Sequence, residues 1–141
     1  MTVAECLKKW LKGFRAYDLT DVLTDIIDLD DGTFSIAKSP NSTVLREFQD
    51  GSSLVSEYYQ FYASGSSGDD EDRNENHEFL QIFGNWIEDR NFLGKLPDLS
   101  KAGPLSCQEV KVNSSGEFSV EEGGRNTIYQ VVLEVTFLKR R

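Results

Sequence analysis

The residues of this chain that could do chemistry are few and scattered. His77 is the single histidine among 141 residues, so zinc sites built on a histidine pair are excluded and serine or cysteine triads have one candidate base. It stands at the start of a predicted helix and reads as a surface or capping residue. Cys6 and Cys107 lack the Cys-x-x-Cys spacing of redox and metal motifs. We expect both to be reduced, partly buried thiols, and we expect no catalytic residue and no cofactor.

Two acidic stretches have the residue types of a cation site. Residues 28–32 resemble part of a calcium loop, but the register set by Gly32 puts Ile27 and Lys38 where carboxylates are required. This stretch therefore reads as a solvated turn. The second stretch has successive carboxylates without rigid neighbours, which repel one another and stay solvated. It consists of Asp69, Asp70, Glu71 and Asp72. We expect no metal at either place.

The composition indicates one acidic domain. A length of 141 residues suits a single domain over residues 1–141, and 38% hydrophobic residues suffice for a core. The net charge of −9 argues against ordinary nucleic-acid binding, which needs a Lys/Arg face, and the only basic cluster is residues 139–141. No apolar run approaches the roughly 18–20 residues of a membrane span, and the first residues lack a signal segment. We expect a soluble protein made inside a cell, with no membrane partner.

Two amphipathic helices are predicted to supply most of the core. The first has Thr2 as its N-cap and ends near Gly13. The second runs from about Glu75 to Asn91, with Gly94 and Pro97 as stop signals. Each has an apolar stripe at helical spacing. The stripes are Val3, Leu7, Trp10, Leu11 and Phe14 in the first helix, and Phe79, Leu80, Phe83, Trp86 and Ile87 in the second.

The remaining apolar runs predict strands separated by turn residues. The hairpin signal Asp50-Gly51 joins a strand over 43–48 to a long strand over 54–63. The alternation over 127–139 predicts a central or near-central strand. Further strands are predicted over 33–37, 105–113 and 117–121, with turns at 39–41, 114–116 and 122–126, and 19–29 reads as strand or irregular structure. The resulting fold class is α+β, an antiparallel, mostly meander sheet packed by the N-terminal helix and the central helix.

The long strand and the loop after it are the predicted contact surface. Tyr58, Gln60 and Tyr62 alternate with the core-facing positions, and tyrosine, with an apolar ring and a polar tip, suits a surface that is wet until it is covered. The Gly/Ser-rich and acidic loop at about 64–75 has too little apolar surface to hold itself in place. We therefore expect a subunit interface on the strand and a mobile loop for a ring lumen or a partner.

Several pieces of the sequence occur together in the order of a known family. They are Leu7-Lys8-Lys9-Trp10-Leu11, Phe34 to Pro40, Phe48 to Ser52, Tyr59 to Ser64, Phe83 to Asn91 followed by Leu96-Pro97, and Ile128 to Val131. In this order the chain resembles the small minor capsid or tail terminator (tail completion) proteins of long-tailed bacteriophages, especially those that infect Gram-positive bacteria. The resemblance covers most of the chain.

The resemblance implies a virion structural protein without catalytic residues. It implies a hexameric ring that caps the tail tube, ends its polymerisation and joins the tail to the head connector. The implied partners are further copies of the chain, the major tail-tube protein and the head-completion protein, with assembly in the host cytoplasm and a final place at the head–tail junction. If Asp69, Asp70, Glu71 and Asp72 line the ring lumen, like-charge repulsion lets DNA pass without sticking.

Two other classes of function stay open at this point. An acidic inhibitor or DNA mimic, blocking a nucleic-acid enzyme, needs carboxylates spaced like phosphates over a rigid face. A small enzyme or ligand-binding domain with an unrecognised site needs a deep pocket that contains carboxylates with perturbed pKa values.

Overall fold

The computed structural model has two α-helices on a five-stranded, mostly antiparallel sheet, which confirms the α+β class. It describes residues 1–16, 19, 22–24, 34–66, 70–120 and 126–141. The elements in chain order are α1 (Val3–Leu11), β1 (Leu23–Thr24), β2 (Phe34–Glu47), β3 (Ser53–Ser66), α2 (Asp70–Phe92), a short 3₁₀ turn (Ser100–Ala102), β4 (Leu105–Val120) and β5 (Asn126–Lys139).

α1 begins as the sequence predicts. The Thr2 hydroxyl accepts from the Glu5 N–H at 3.1 Å, and the Glu5 carboxylate accepts from the Thr2 N–H at 3.3 Å. This capping box satisfies two backbone donors that a helix start leaves unpaired. Leu7 and Leu11 are fully buried on the inward side.

The sheet order is β1-β2-β3-β5-β4. β2–β3 and β4–β5 are antiparallel neighbours along the chain, and α2 connects the two pairs, so that β5 lies between β3 and β4. β5 is therefore central, as its alternation predicts. Among the described residues, β1 pairs with β2 in parallel through Leu23 and Thr24.

α2 contributes an aromatic layer that fills the core. Phe83 is fully buried, with its ring centroid 4.7 Å from that of Phe61 on β3 and 5.4 Å from that of Phe14 after α1. The helix ends in a Schellman motif: Gly94 has φ +71°, its N–H donates to the Asn91 carbonyl, and the Lys95 N–H donates to the Arg90 carbonyl. The predicted stripe and the predicted stop are both confirmed.

Three predicted boundaries are wrong. Pro40 does not end a strand, because β2 runs on to Glu47 with a register shift between Lys38 and Ser42, and proline is tolerated at such an irregularity or at an edge. Residues 114–116 are not a turn, because β4 continues through them beside β5, with shifts nearby. The loop at about 64–75 is shorter than predicted, because β3 extends to Ser66 and α2 begins at Asp70. Most of 19–29 and the whole of 28–32 lie outside the described residues.

The sheet has an inner and an outer face. The inner face carries the buried side chains Phe61, Val131, Leu133 and Val135 and receives both α-helices. The outer face carries Tyr58, Gln60 and Tyr62 of β3 and their neighbours on β5. At the end of the sheet marked by the β2–β3 turn, the strands run beyond the helices.

Candidate functional site

An open apolar groove of about 650 Å³ lies on the inner face, where the helices no longer cover the sheet. Its floor is formed by Val44 of β2, Val55 of β3 and Phe137 of β5. Its walls are the first turn of α1, at Val3 and Ala4, and the segment that precedes β4, residues 102–105. The groove exists because the sheet is longer than the helices that pack on it.

One polar network borders the groove. The Glu57 carboxylate accepts from the Tyr59 hydroxyl at 3.0 Å and pairs with the Lys38 ammonium at 3.0 Å. Burial, and then the neighbouring Glu57 charge, raises the pKa of Tyr59 above its ordinary value. Both Glu57 oxygens therefore have a partner, and the arrangement is that of a structural ion pair rather than a poised acid or base.

Besides the single residues Met1 and Leu23, the exposed large apolar side chains of the described residues lie in two groups. At the β2–β3 end, Val44 is 55% exposed, Leu45 52% and Phe48 39%. At the end of α2, Phe92 is 91% exposed and Leu93 55%. We call Phe92 and Leu93 the Phe92 knob. Isolated exposed apolar residues are ordinary, but a nearly free phenylalanine beside a second apolar residue is a feature of contact surfaces.

The predicted strand surface is only partly available. Tyr58 and Gln60 are half-buried on the outer face. Tyr62 is 5% exposed in the single chain, and burial raises the pKa of its phenol. The prediction that the Tyr62 side chain is exposed to solvent in the single chain is therefore wrong. Tyr62 lies opposite the fully buried Ser35 and beside the buried Ser64.

The backbone of the acidic run is helical over its described residues. Asp70, Glu71 and Asp72 form the first residues of α2, where negative charge is favoured by the free N–H groups, while Asp69 lies outside the described residues. Asp70 to Asp72 thus belong to a helix and not to a mobile loop. His77 is exposed on the same helix, with its ring 5.8 Å from that of Tyr129.

Both cysteines are free thiols in the fold. Cys6 is buried in α1 and Cys107 is half-buried in β4. Burial raises the pKa of the Cys107 thiol to about 11 and raises that of Cys6 as well. Raised thiol pKa values keep both groups protonated near neutral pH, which is the opposite of an activated nucleophile.

Within the described ranges, no group of three or more His, Cys, Asp and Glu residues could hold a metal ion. None of the described helices is long and apolar enough to cross a membrane. The chain matches no protein-family model and no curated protein sequence.

The groove and the Phe92 knob were not predicted from the sequence. A weak signal for the knob was present, since Phe92 falls off the stripe that Phe79, Phe83 and Ile87 define. The groove has no local signal, because it depends on where α1 begins relative to three strands that are distant in sequence.

Proposed function

We propose that the protein is a structural subunit of a phage virion, a tail terminator. In this role it assembles into a ring that caps the tail tube, ends its polymerisation and joins the tail to the head connector. The sequence resemblance supports this role, and so does a surface that suits assembly.

The observation that carries the proposal is the pair of exposed apolar sites on a small folded chain. Phe92 and Leu93 lie at one place, and Val44 lies at another. Two separate apolar sites allow a subunit to contact a different neighbour on each side, as a ring requires. Tyr58 and Gln60 add a half-buried polar surface that a further partner can cover.

The start of α2 is the proposed lumen segment. Asp70, Glu71 and Asp72 are fixed in the chain as helical residues. If they face the ring lumen, their charges repel the DNA backbone and let it slide through. Neutral replacements of the three should slow DNA passage while the ring still forms.

The test is assembly of the purified full chain. Light scattering coupled to gel filtration, followed by negative-stain electron microscopy, should show a concentration-dependent ring that binds tail-tube protein. A chain that stays monomeric at the highest attainable concentration and binds no tail-tube or connector protein would contradict the proposal.

An acidic inhibitor is the second candidate, and one observation favours it. The backbone of residues 70–72 is helical, and a helix is closer than a loop to the rigid scaffold that a phosphate mimic needs. A nuclease inhibition assay separates the two candidates, because a ring subunit should leave nuclease activity unchanged.

A further inference from the structure

We propose that the Phe92 knob of one copy docks in the apolar groove of a second copy. The inference rests on the proposed ring and deepens it, because it names the contact by which neighbouring subunits join. The two surfaces are the Phe92 and Leu93 side chains on one copy and the floor formed by Val44, Val55 and Phe137 on the other.

The shapes and polarities of the two surfaces match. Phe92 is 91% exposed and projects beyond the end of α2, where the Schellman turn at Gly94 redirects the chain. The groove holds about 650 Å³, which is room for a phenylalanine and a leucine side chain. An aromatic side chain removes about 150–250 Å² from water when it is buried, so this ring is the natural anchor of the contact.

The charge of the groove also favours a second copy of this acidic chain. Glu88 and Asp89 are exposed one turn before Phe92, and Arg90 lies over the Trp86 ring with its guanidinium carbon 5.7 Å from the centroid. Together with the exposed Lys95 just beyond Gly94, these residues leave the knob with no net charge. Lys38, Glu57 and Lys139 line the groove and leave it with one net positive charge. In a chain of net charge −9, this groove is a place that a second acidic copy can approach.

The positions of the two surfaces make the contact head-to-tail. The knob adjoins β4, since Asn91 is hydrogen-bonded to the Val110 backbone, while the groove reaches across the sheet to β2. When one knob fills one groove, the pair of copies keeps one of each surface free, so further copies can add until a ring closes; two copies that filled each other's grooves would instead form a closed two-fold dimer.

The contact is small, so the stability of the assembly depends on the closing of the ring. Two side chains bury far less than the roughly 800 Å² per partner of a stable interface. A single knob-in-groove contact is therefore weak, whereas each copy in a closed ring makes the contact twice and is held in place by both neighbours.

The test uses two variants of the full chain with matched controls. Phe92→Ser removes the knob, and Phe48→Ser is its control, an exposed phenylalanine at the other end of the molecule. Val44→Asp charges the groove floor, and Leu45→Asp is its control, because Leu45 is equally exposed and does not line the groove. Sedimentation velocity measures association, and circular dichroism checks that each variant is folded.

We expect Phe92→Ser and Val44→Asp each to weaken association about 10- to 100-fold, as loss of one buried phenylalanine or valine contact predicts. Both controls should associate like the wild type. A mixture of Phe92→Ser with Val44→Asp should form 1:1 dimers and nothing larger, since the first variant keeps an intact groove and the second an intact knob.

The other outcomes decide between the two proposals. Rings that persist in Phe92→Ser and Val44→Asp would overturn the docking contact and leave the proposed function standing; another occupant of the groove would give this same result. Knob-dependent oligomers that never close into rings or cap tail tubes would support the contact and contradict the tail terminator. A wild-type chain that is monomeric at every concentration would overturn both.

Discussion

At the level of single residues, Asn91 joins the end of a helix to the edge of a sheet. Its side chain accepts from the Val110 N–H at 2.8 Å and donates to the Val110 carbonyl, as a neighbouring strand would. Val110 is 1% exposed, so Asn91→Ala leaves a buried donor and acceptor without this partner. A buried polar group left unpaired costs about 1–3 kcal/mol, and we expect Asn91→Ala to lower the free energy of unfolding by about 2–3 kcal/mol in urea titrations.

Asn85→Ala is the control for this prediction, because Asn85 is an exposed asparagine on the same helix. Its free energy of unfolding should change by about 0.5 kcal/mol or less, with the better helix propensity of alanine acting in its favour. Equal losses in the two variants would show that the hydrogen bonds to Val110 add nothing.

Single residues also show which roles a sequence can reveal. The capping box of Thr2 and Glu5 was half predictable, since an N-cap and its partner lie three positions apart. The role of Asn91 was not, because Val110 is a β4 residue that comes near only through the tertiary fold. Tyr62 was misjudged for the same reason: alternation gives the face on which a residue lies but not what covers that face.

At the level of elements, α2 holds the sheet through one aromatic layer. Phe83 is fully buried, and its ring centroid lies 4.7 Å from that of Phe61 and 5.6 Å from that of Phe79. We expect Phe83→Ala to lower the free energy of unfolding by about 3–5 kcal/mol, the cost of a large cavity in a core. Chemical denaturation followed by tryptophan fluorescence measures this, since Trp86 lies one turn away.

Phe92→Ala makes the same chemical change on the same helix. Because Phe92 is 91% exposed, the free energy of unfolding of the monomer should fall by about 0.5 kcal/mol or less. A fall in the free energy of unfolding as large as that of Phe83→Ala would show that Phe92 is part of the core. The knob could then not be a contact surface.

The elements themselves were predicted better than their ends. The stripes of α1 and α2 follow from spacing alone, and the Asp50-Gly51 hairpin follows from local turn chemistry: Gly51 has φ +90°, and the Phe48 N–H donates to the Ser52 carbonyl. The residue types of Pro40 and of residues 114–116 favour turns, so the sequence predicts that a strand ends at each place. In the fold, β2 continues past Pro40 because it pairs with β3, and β4 continues through residues 114–116 because it pairs with β5. Each irregularity is seen as a register shift.

At the level of the whole molecule, the sheet order decides where the surfaces lie. No local pattern indicates that β5 inserts between β3 and β4, or that the strands extend beyond the helices to leave a groove. The fold class follows from composition and periodicity, whereas the groove and its distance from the knob follow from this order. The positions of the groove and the knob, the proposed assembly surfaces, were therefore not predictable from the sequence.

Assembly through the knob and the groove should make stability depend on protein concentration. Because only folded subunits assemble, a tenfold rise in concentration stabilises each subunit of a ring by about 1 kcal/mol. For a domain of this size, that raises Tm by about 3–5 °C. Differential scanning calorimetry over a hundredfold range of concentration should show this rise for the wild type and for Phe48→Ser, whereas the rise for Phe92→Ser should begin only at a concentration about 10- to 100-fold higher. A Tm of the wild type that does not change with concentration would mean that folding and assembly are not linked, and the knob would then have no part in holding subunits together.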